Sequence, residues 1–342
     1  MSKVKLALLS ALLLLPSSSA MAGSSKSSRP KPAKECQYRT PVHLHEVLPG
    51  EHLGLIAGRY GVYRKDLIAL NAELENPDRI LPGQMIQVCP EIPPREQKTV
   101  THVVAAGENL ASIAKRYELE VEALLEMQGG RVSNPNHIRV GQELTIELEG
   151  DILPGFDPEE VEEKNGRLSR SVQLREGDGY MLKRPHLAFG TPATISTIER
   201  VLTRYRKRSH GGPVIHVGDI SKQSGGPLSG HLSHQTGKDV DIGLVHRGPA
   251  ASSVRFVKAT DGNLDVERTW MLVEEFLQTG NVRYIFLDYE VQKQLYDYAR
   301  GHGVSKRQLD EWFQYPRGRG RGFGIVRHWR NHADHIHVRF RG

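Results

Sequence analysis

The sequence predicts an α+β protein: two small strand–helix–helix–strand modules followed by a larger mixed domain of about 170 residues. Three observations carry that prediction. Residues 47–88 recur at 104–146 with a period of 57–58. Within the first copy, Leu53, Ile56, Ala57 and Tyr60 fall at helix spacing, and Met85–Val88 reads as a closing strand. Beyond residue 170 histidine becomes frequent, and short alternating strands mix with helix-length stretches.

The chain opens with Lys3 and Lys5, an apolar run Leu6–Leu15, and Ala20-Met21-Ala22. This pattern predicts an export signal over 1–22, cleaved after Ala22, and hence a periplasmic or secreted protein. The run is too short for a transmembrane segment, which takes about 20 residues. Removing the signal takes out two lysines and no acid, lowering the formal charge from +6 to +4. That excess suits an anionic polymer such as cell wall and gives no reason to expect nucleic acid. Cys36 and Cys89 are the only cysteines. In an exported chain an even count predicts one disulfide, here bracketing a first module over 36–89. A Pro-rich charged linker is expected at 90–100, a second module at 101–148, an acidic linker at 149–169, and the large domain at 170–342.

The repeats align residue by residue: Gly50 with Gly107, Ile56 with Ile113, Tyr60 with Tyr117, Leu67 with Leu124, and Gly83-Gln84 with Gly141-Gln142. The strand–helix–helix–strand order with this pattern resembles the LysM module, which implies binding of N-acetylglucosamine-containing glycans. The second copy departs from it, with Met127-Gln128 at the Leu70-Asn71 position.

In the last domain, helices are expected at 194–207, 269–278 and 290–302, and strands at 214–218, 240–244, 284–287 and 336–340. Side chains two apart in a strand share a face. His335 and His337 would therefore lie on one face, with Ile336, Val338 and Phe340 on the other. Upstream, Asp239 and Asp241 share the polar face of a second strand, after His231 and His234. Catalytic zinc takes three His, Asp or Glu ligands and leaves a fourth position open. The residues alone offer five histidines, His332 included, and two aspartates. Strand parity does not choose between Asp239 and Asp241. His210, His216, His246 and His302 lack motif context.

"GHLSHQTGKDVDI" together with "HADHIHVRF" resembles the penicillin-insensitive murein endopeptidases, zinc enzymes of the wider LAS group that includes the hedgehog fold. That group carries H-x6-D followed much later by H-x-H, met here by His234 to Asp241 and by His335 to His337. The resemblance runs from about Ser171 to Arg341. It implies a LAS-type domain with a central antiparallel sheet, Zn2+ held by His234, Asp241 and His337, and His335 as base or transition-state hydrogen-bonder. It places the family's further histidines on His231 and His332, as catalytic-site contacts or supports, and its tryptophan on Trp329. The implied activity is D,D-endopeptidase cleavage of D-alanyl–meso-diaminopimelyl cross-links in peptidoglycan, without a serine nucleophile. A zinc D,D-carboxypeptidase and a non-catalytic wall-binding protein are the alternatives. Arg317–Phe323 (RGRGRGF) reads as a mobile basic loop, or as a contact for a stem-peptide carboxylate.

Overall fold

The computed structural model describes residues 36, 41–132, 134–156 and 166–342. The export signal expected at 1–22 and residues 157–165 of the acidic linker lie outside the described residues.

The first repeat runs β1 (His43–Glu46), α1 (Leu53–Tyr60), α2 (Arg64–Leu70) and β2 (Met85–Val88), with the two strands antiparallel. Leu53, Ile56, Ala57 and Tyr60 bury one stripe of α1 against Ile86 and Val88. Gly61 ends α1 at φ +65°, a left-handed position that glycine enters without strain. A Cys36–Cys89 disulfide ties the chain ahead of β1 to the end of β2.

The second repeat runs β3 (Arg95–Val103), α3 (Leu110–Arg116), α4 (Val121–Met127) and β4 (Glu143–Ile152). Residues 95–100 differ from the linker expectation. The β-branched run Thr99-Val100-Thr101 continues back into one long strand that pairs with β4 from Val103 to Arg95. Residues 149–152 likewise belong to β4 and not to a linker.

The large domain adds β5 (Val172–Gln173), β6 (Tyr180–Leu182), β7 (Phe189–Gly190), α5 (Pro192–Arg208), β8 (Ile215–Val217) and β9 (Asp239–Gly243). It continues with α6 (Val266–Gln278), β10 (Val282–Phe286), α7 (Tyr289–Gly301), α8 (Lys306–Trp312), β11 (Val326–Arg327) and β12 (His335–Phe340). Its main sheet has the order β11-β10-β12-β9-β8-β6. The centre is antiparallel, as expected, whereas each edge strand joins in parallel. Helix α5 shows why these helices form. Thr191 caps its first turn, Pro192 stands at N1, and Arg206, Lys207 and Arg208 occupy the last turn near the negative dipole end. Ile195, Ile198, Val201, Leu202 and Tyr205 recur at three and four residues and pack onto the sheet.

The first repeat is joined tightly to this domain. Gly54 and Gly58 lie on the face of α1 that meets α8, and a Cβ at either would collide with the backbone oxygen of Arg307 or Asp310. The Gly324 amide donates to the Gly58 carbonyl at 2.8 Å, and Tyr63 is buried in the large domain's own core. Buried Asp310 receives His52 at 3.1 Å, Lys306 at 2.9 Å and Arg317 at 2.5 Å, so its carboxyl is held well below the usual range despite burial. The loop expected to be a mobile basic segment is pinned at each arginine. Arg317 bonds Asp310, Arg319 bonds Glu290 at 2.5 Å, and Arg321 donates to the Glu147 carbonyl of the second repeat at 2.9 Å.

Candidate metal centre

Strands β9 and β12 are antiparallel neighbours whose register sets His337 opposite Asp241 and Arg339 opposite Asp239. Alternation then sends Val240, Ile242, Ile336, Val338 and Phe340 into the core. Asp239, Asp241, His335 and His337 point to the other face, beneath a cleft of about 850 Å³. Apolar burial on one side thus fixes the polar set on the other.

His231 and His234 come from the irregular chain before β9. His234 adopts φ +56°, a left-handed conformation uncommon for a side chain with a Cβ. It is held there by its amide to Asp239 at 3.3 Å and by Nδ1 donating to the Ile220 carbonyl at 3.0 Å. Three of the imidazoles around Asp241, those of His231, His234 and His337, follow one rule. Each ties one ring nitrogen to an oxygen outside the cluster: His234 to Ile220, His231 Nε2 to Asp219 at 3.0 Å, and His337 Nε2 to Asp239 at 3.0 Å. The other nitrogen of each faces Asp241. His337 Nδ1 lies 3.0 Å, His234 Nε2 3.2 Å and His231 Nδ1 3.8 Å from its carboxylate. His234 Nε2 and His337 Nδ1 are themselves 3.2 Å apart.

A set of inward imidazole nitrogens around one carboxylate, each ring oriented by a second acceptor, is the donor chemistry a divalent cation takes. Ligand atoms of His231, His234 and Asp241 all lie within 4.8 Å of one another. The residues present fit a metal. Burial alone would lower the His337 pKa, but Asp239 and Asp241 outweigh it and raise it to about 9. Burial likewise opposes ionisation of Asp241, while hydrogen bonds and charge from His234 and His337 hold its carboxyl well below the ordinary range.

His335 flanks this group. Its Nδ1 meets Asp334 at 2.6 Å, its ring stacks on Phe256 at 5.2 Å, and its Nε2 stands 3.8 Å from Asp241. His332 lies beside His335, ring centroids 4.8 Å apart, with Nδ1 on the Arg330 carbonyl at 2.7 Å. Burial pulls the His332 pKa down to about 4. Trp329 is 53% exposed at the cleft wall and stacks on Phe286. His210, His216, His246 and His302 do not line the cleft. Sequence reasoning missed Asp219, which orients His231 and also binds Arg184, and Asp334, which orients His335. Asp219 ends the "VIHVGD" run, where an acid just past a buried strand was the available signal.

An α+β domain that gathers three histidines and an aspartate under an open cleft carries a candidate metal-binding site. The family model for penicillin-insensitive murein endopeptidase matches residues 163–342, and that for the LysM domain matches 45–88 and 102–147. The chain belongs to the penicillin-insensitive murein endopeptidase family. The enzyme of that name from Yersinia enterocolitica serotype O:8 is 29% identical over 181 residues, covering 48% of this chain and 59% of its own. That from Yersinia pestis is 28% identical over 200 residues, covering 55% and 62%. The chain therefore spans about three fifths of the length of these relatives. Among solved structures, the Bacillus cereus spore cortex-lytic enzyme SleL covers 47% of this chain and 30% of its own at 17% identity and a TM-score of 0.14, too low to inform the fold. Among the described residues, no helix is long and apolar enough to cross a membrane.

Proposed function

We propose that this protein is an exported, zinc-dependent D,D-endopeptidase that cleaves D-alanyl–meso-diaminopimelyl cross-links in peptidoglycan, held on glycan strands by its LysM repeats. The observation that carries this reading is the convergence of His231, His234 and His337 on Asp241 beneath an open cleft, with His335 alongside. His234, Asp241 and His337 would hold the ion, and His231 is placed to join them. Zinc, when bound, supplies Lewis-acid chemistry, polarising a scissile carbonyl and bringing the pKa of water to about 7. His335 accepts a proton on Nε2 while Asp334 steadies Nδ1, then returns that proton to the departing amine. His332 spends its Nδ1 proton on the Arg330 carbonyl, so its Nε2 accepts and suits a substrate N–H better than an oxyanion. Trp329 offers an exposed ring to the substrate beside the reacting atoms. The LysM repeats raise the local concentration of cross-links by holding the polymer.

A second reading, a wall-binding protein with a purely structural ion, is favoured by one fact: a further imidazole, His231, has a ligand atom within 4.8 Å of those of His234 and Asp241. Digestion of purified sacculi with and without chelator separates the readings. Metal-dependent conversion of cross-linked dimers to monomers, lost in His335→Ala, is the expected result. Release of free D-alanine with dimers intact would indicate a carboxypeptidase, and no product at all would support the structural ion.

A further inference from the structure

A second cavity, of about 680 Å³, lies where the large domain meets both repeats. Its walls come from the chain leaving the first repeat (Glu91), from the second repeat (Arg95, Glu118, Glu149), and from Arg319 and Arg321 of the glycine–arginine loop. Phe286 and Trp329 line both this cavity and the cleft over the His/Asp cluster, so the two adjoin across a stacked aromatic pair at 4.9 Å.

Three of its guanidinium groups bond backbone carbonyls and, among the described residues, no carboxylate directly. Arg95 donates to the Gly150 carbonyl at 3.2 Å, Arg321 to the Glu147 carbonyl at 2.9 Å, and Arg327 to the Gly324 carbonyl at 2.8 Å. Among the described residues, none of these three has a carboxylate within ion-pair distance. Arg319 is paired with Glu290. Glu91 is engaged by Arg283 at 3.2 Å and by Arg341 at 3.1 Å. Three guanidinium groups without a direct ion pair thus share the cavity with Glu118 and Glu149, with Glu149 acting on Arg321 and Glu91 on Arg327 only at longer range. Arg321 and Arg327 are half-buried, where a guanidinium without a paired anion is costly, and Arg95 is exposed and free to turn to a ligand; a planar fork matches a carboxylate closely. Burial draws the Arg327 pKa down to about 10, which leaves it cationic at neutral pH.

We propose that this cavity is a subsite for a carboxylate-bearing stem peptide of the wall polymer, with Arg95, Arg321 and Arg327 as its anion-recognising groups. The inference rests on reading the adjoining cleft as the peptidase site. A stem bound here reaches that cleft across the Phe286–Trp329 seam, and Glu118 and Glu149 provide for the ammonium of its diamino acid. The subsite exists only because the second repeat is docked on the large domain, so the repeat supplies part of the substrate path as well as glycan affinity.

The test is calorimetric titration of the full-length, chelator-treated protein with an uncross-linked stem tetrapeptide containing meso-diaminopimelate, beside the same peptide with its carboxyl groups amidated. The free acid is expected to bind at least about tenfold more tightly than the amide, a difference of about 1.4 kcal/mol. Arg95→Ala and Arg321→Ala should each erase that preference, and Arg321→Lys should keep part of it, with circular dichroism checking each fold. Equal binding of acid and amide by the wild type would overturn the subsite, as would a preference that survives both alanine substitutions. No turnover is needed, so the two readings fail separately. A protein that prefers the acid but never cleaves cross-links contradicts the enzymatic reading alone, and one that cleaves without the preference contradicts the subsite alone.

Discussion

In the first repeat the His45 imidazole joins Glu51 at 2.7 Å and Tyr60 at 2.9 Å. In the second, His102 joins Glu108 at 2.9 Å and Tyr117 at 3.1 Å. Asn71 clasps the closing strand by three bonds to the backbone at Leu67 and Gln87. Gln128, the departure noted in the second repeat, makes the same three bonds to Leu124 and Thr145. The longer amide therefore keeps the design. What differs is the outer face. Gly54 and Gly58 admit α8, whereas Ala111 and Lys115 stand at the equivalent places. Tyr63 enters the large domain's core where the second repeat has Glu120. Gly61, pressed against Arg327, has Glu118 as its counterpart, an exposed residue at φ +56° on the wall of the second cavity. One copy has become a built-in part of the large domain, and the other keeps a polar outer helix face.

That contrast can be broken, and Gly58 is the strongest place to do so. Gly58→Leu would drive a side chain into α8 and Phe323, at a cost of about 3 kcal/mol by denaturant titration, whereas Lys115→Leu should change stability by under about 0.5 kcal/mol. Equal losses would mean that the two faces are not different in kind.

The docked interface also carries a pH signature. Burial raises the Glu311 carboxyl from its ordinary 4.5 to about 7. The folded protein then binds that proton more tightly than the unfolded chain. Stability is full below about pH 4.5 and falls as pH rises through 7, by at most about 3 kcal/mol. Thermal melts of Glu311→Gln between pH 5 and 8 should lose that slope and gain at pH 8. An unchanged slope would place the titration elsewhere.

Smaller effects test the shared interior. His45→Ala should cost about 2 kcal/mol, because it strands Glu51 and the buried Tyr60, and His102→Ala should cost less, because Glu108 and Tyr117 are only partly covered. Hydrogen exchange would reveal any inequality. Smallest of all, Glu118→Gly should stabilise the second repeat by about 0.5 kcal/mol by relieving a left-handed residue.

The sequence made the strands and their faces legible, because alternation at 239–244 and 335–340 is a local signal. It could not choose between Asp239 and Asp241, since that depends on register, a property of two strands together; the sheet sets Asp241 opposite His337 and leaves Asp239 behind that ring. Nor could it foresee that Ile220 and Asp219 orient His234 and His231, because those contacts join irregular segments. The docking of the first repeat left a trace in its glycines. Aligning the repeats by what they share directed attention away from Gly54 and Gly58, where they differ.

The most direct test is a zinc titration of metal-free protein, following bound ion and cleavage of a purified cross-linked muropeptide dimer together. Activity should rise in proportion to bound zinc and level off at one equivalent, and both signals should vanish in Asp241→Ala. Dimer cleavage that proceeds undiminished without metal, or survives loss of the 241 carboxylate, would contradict it.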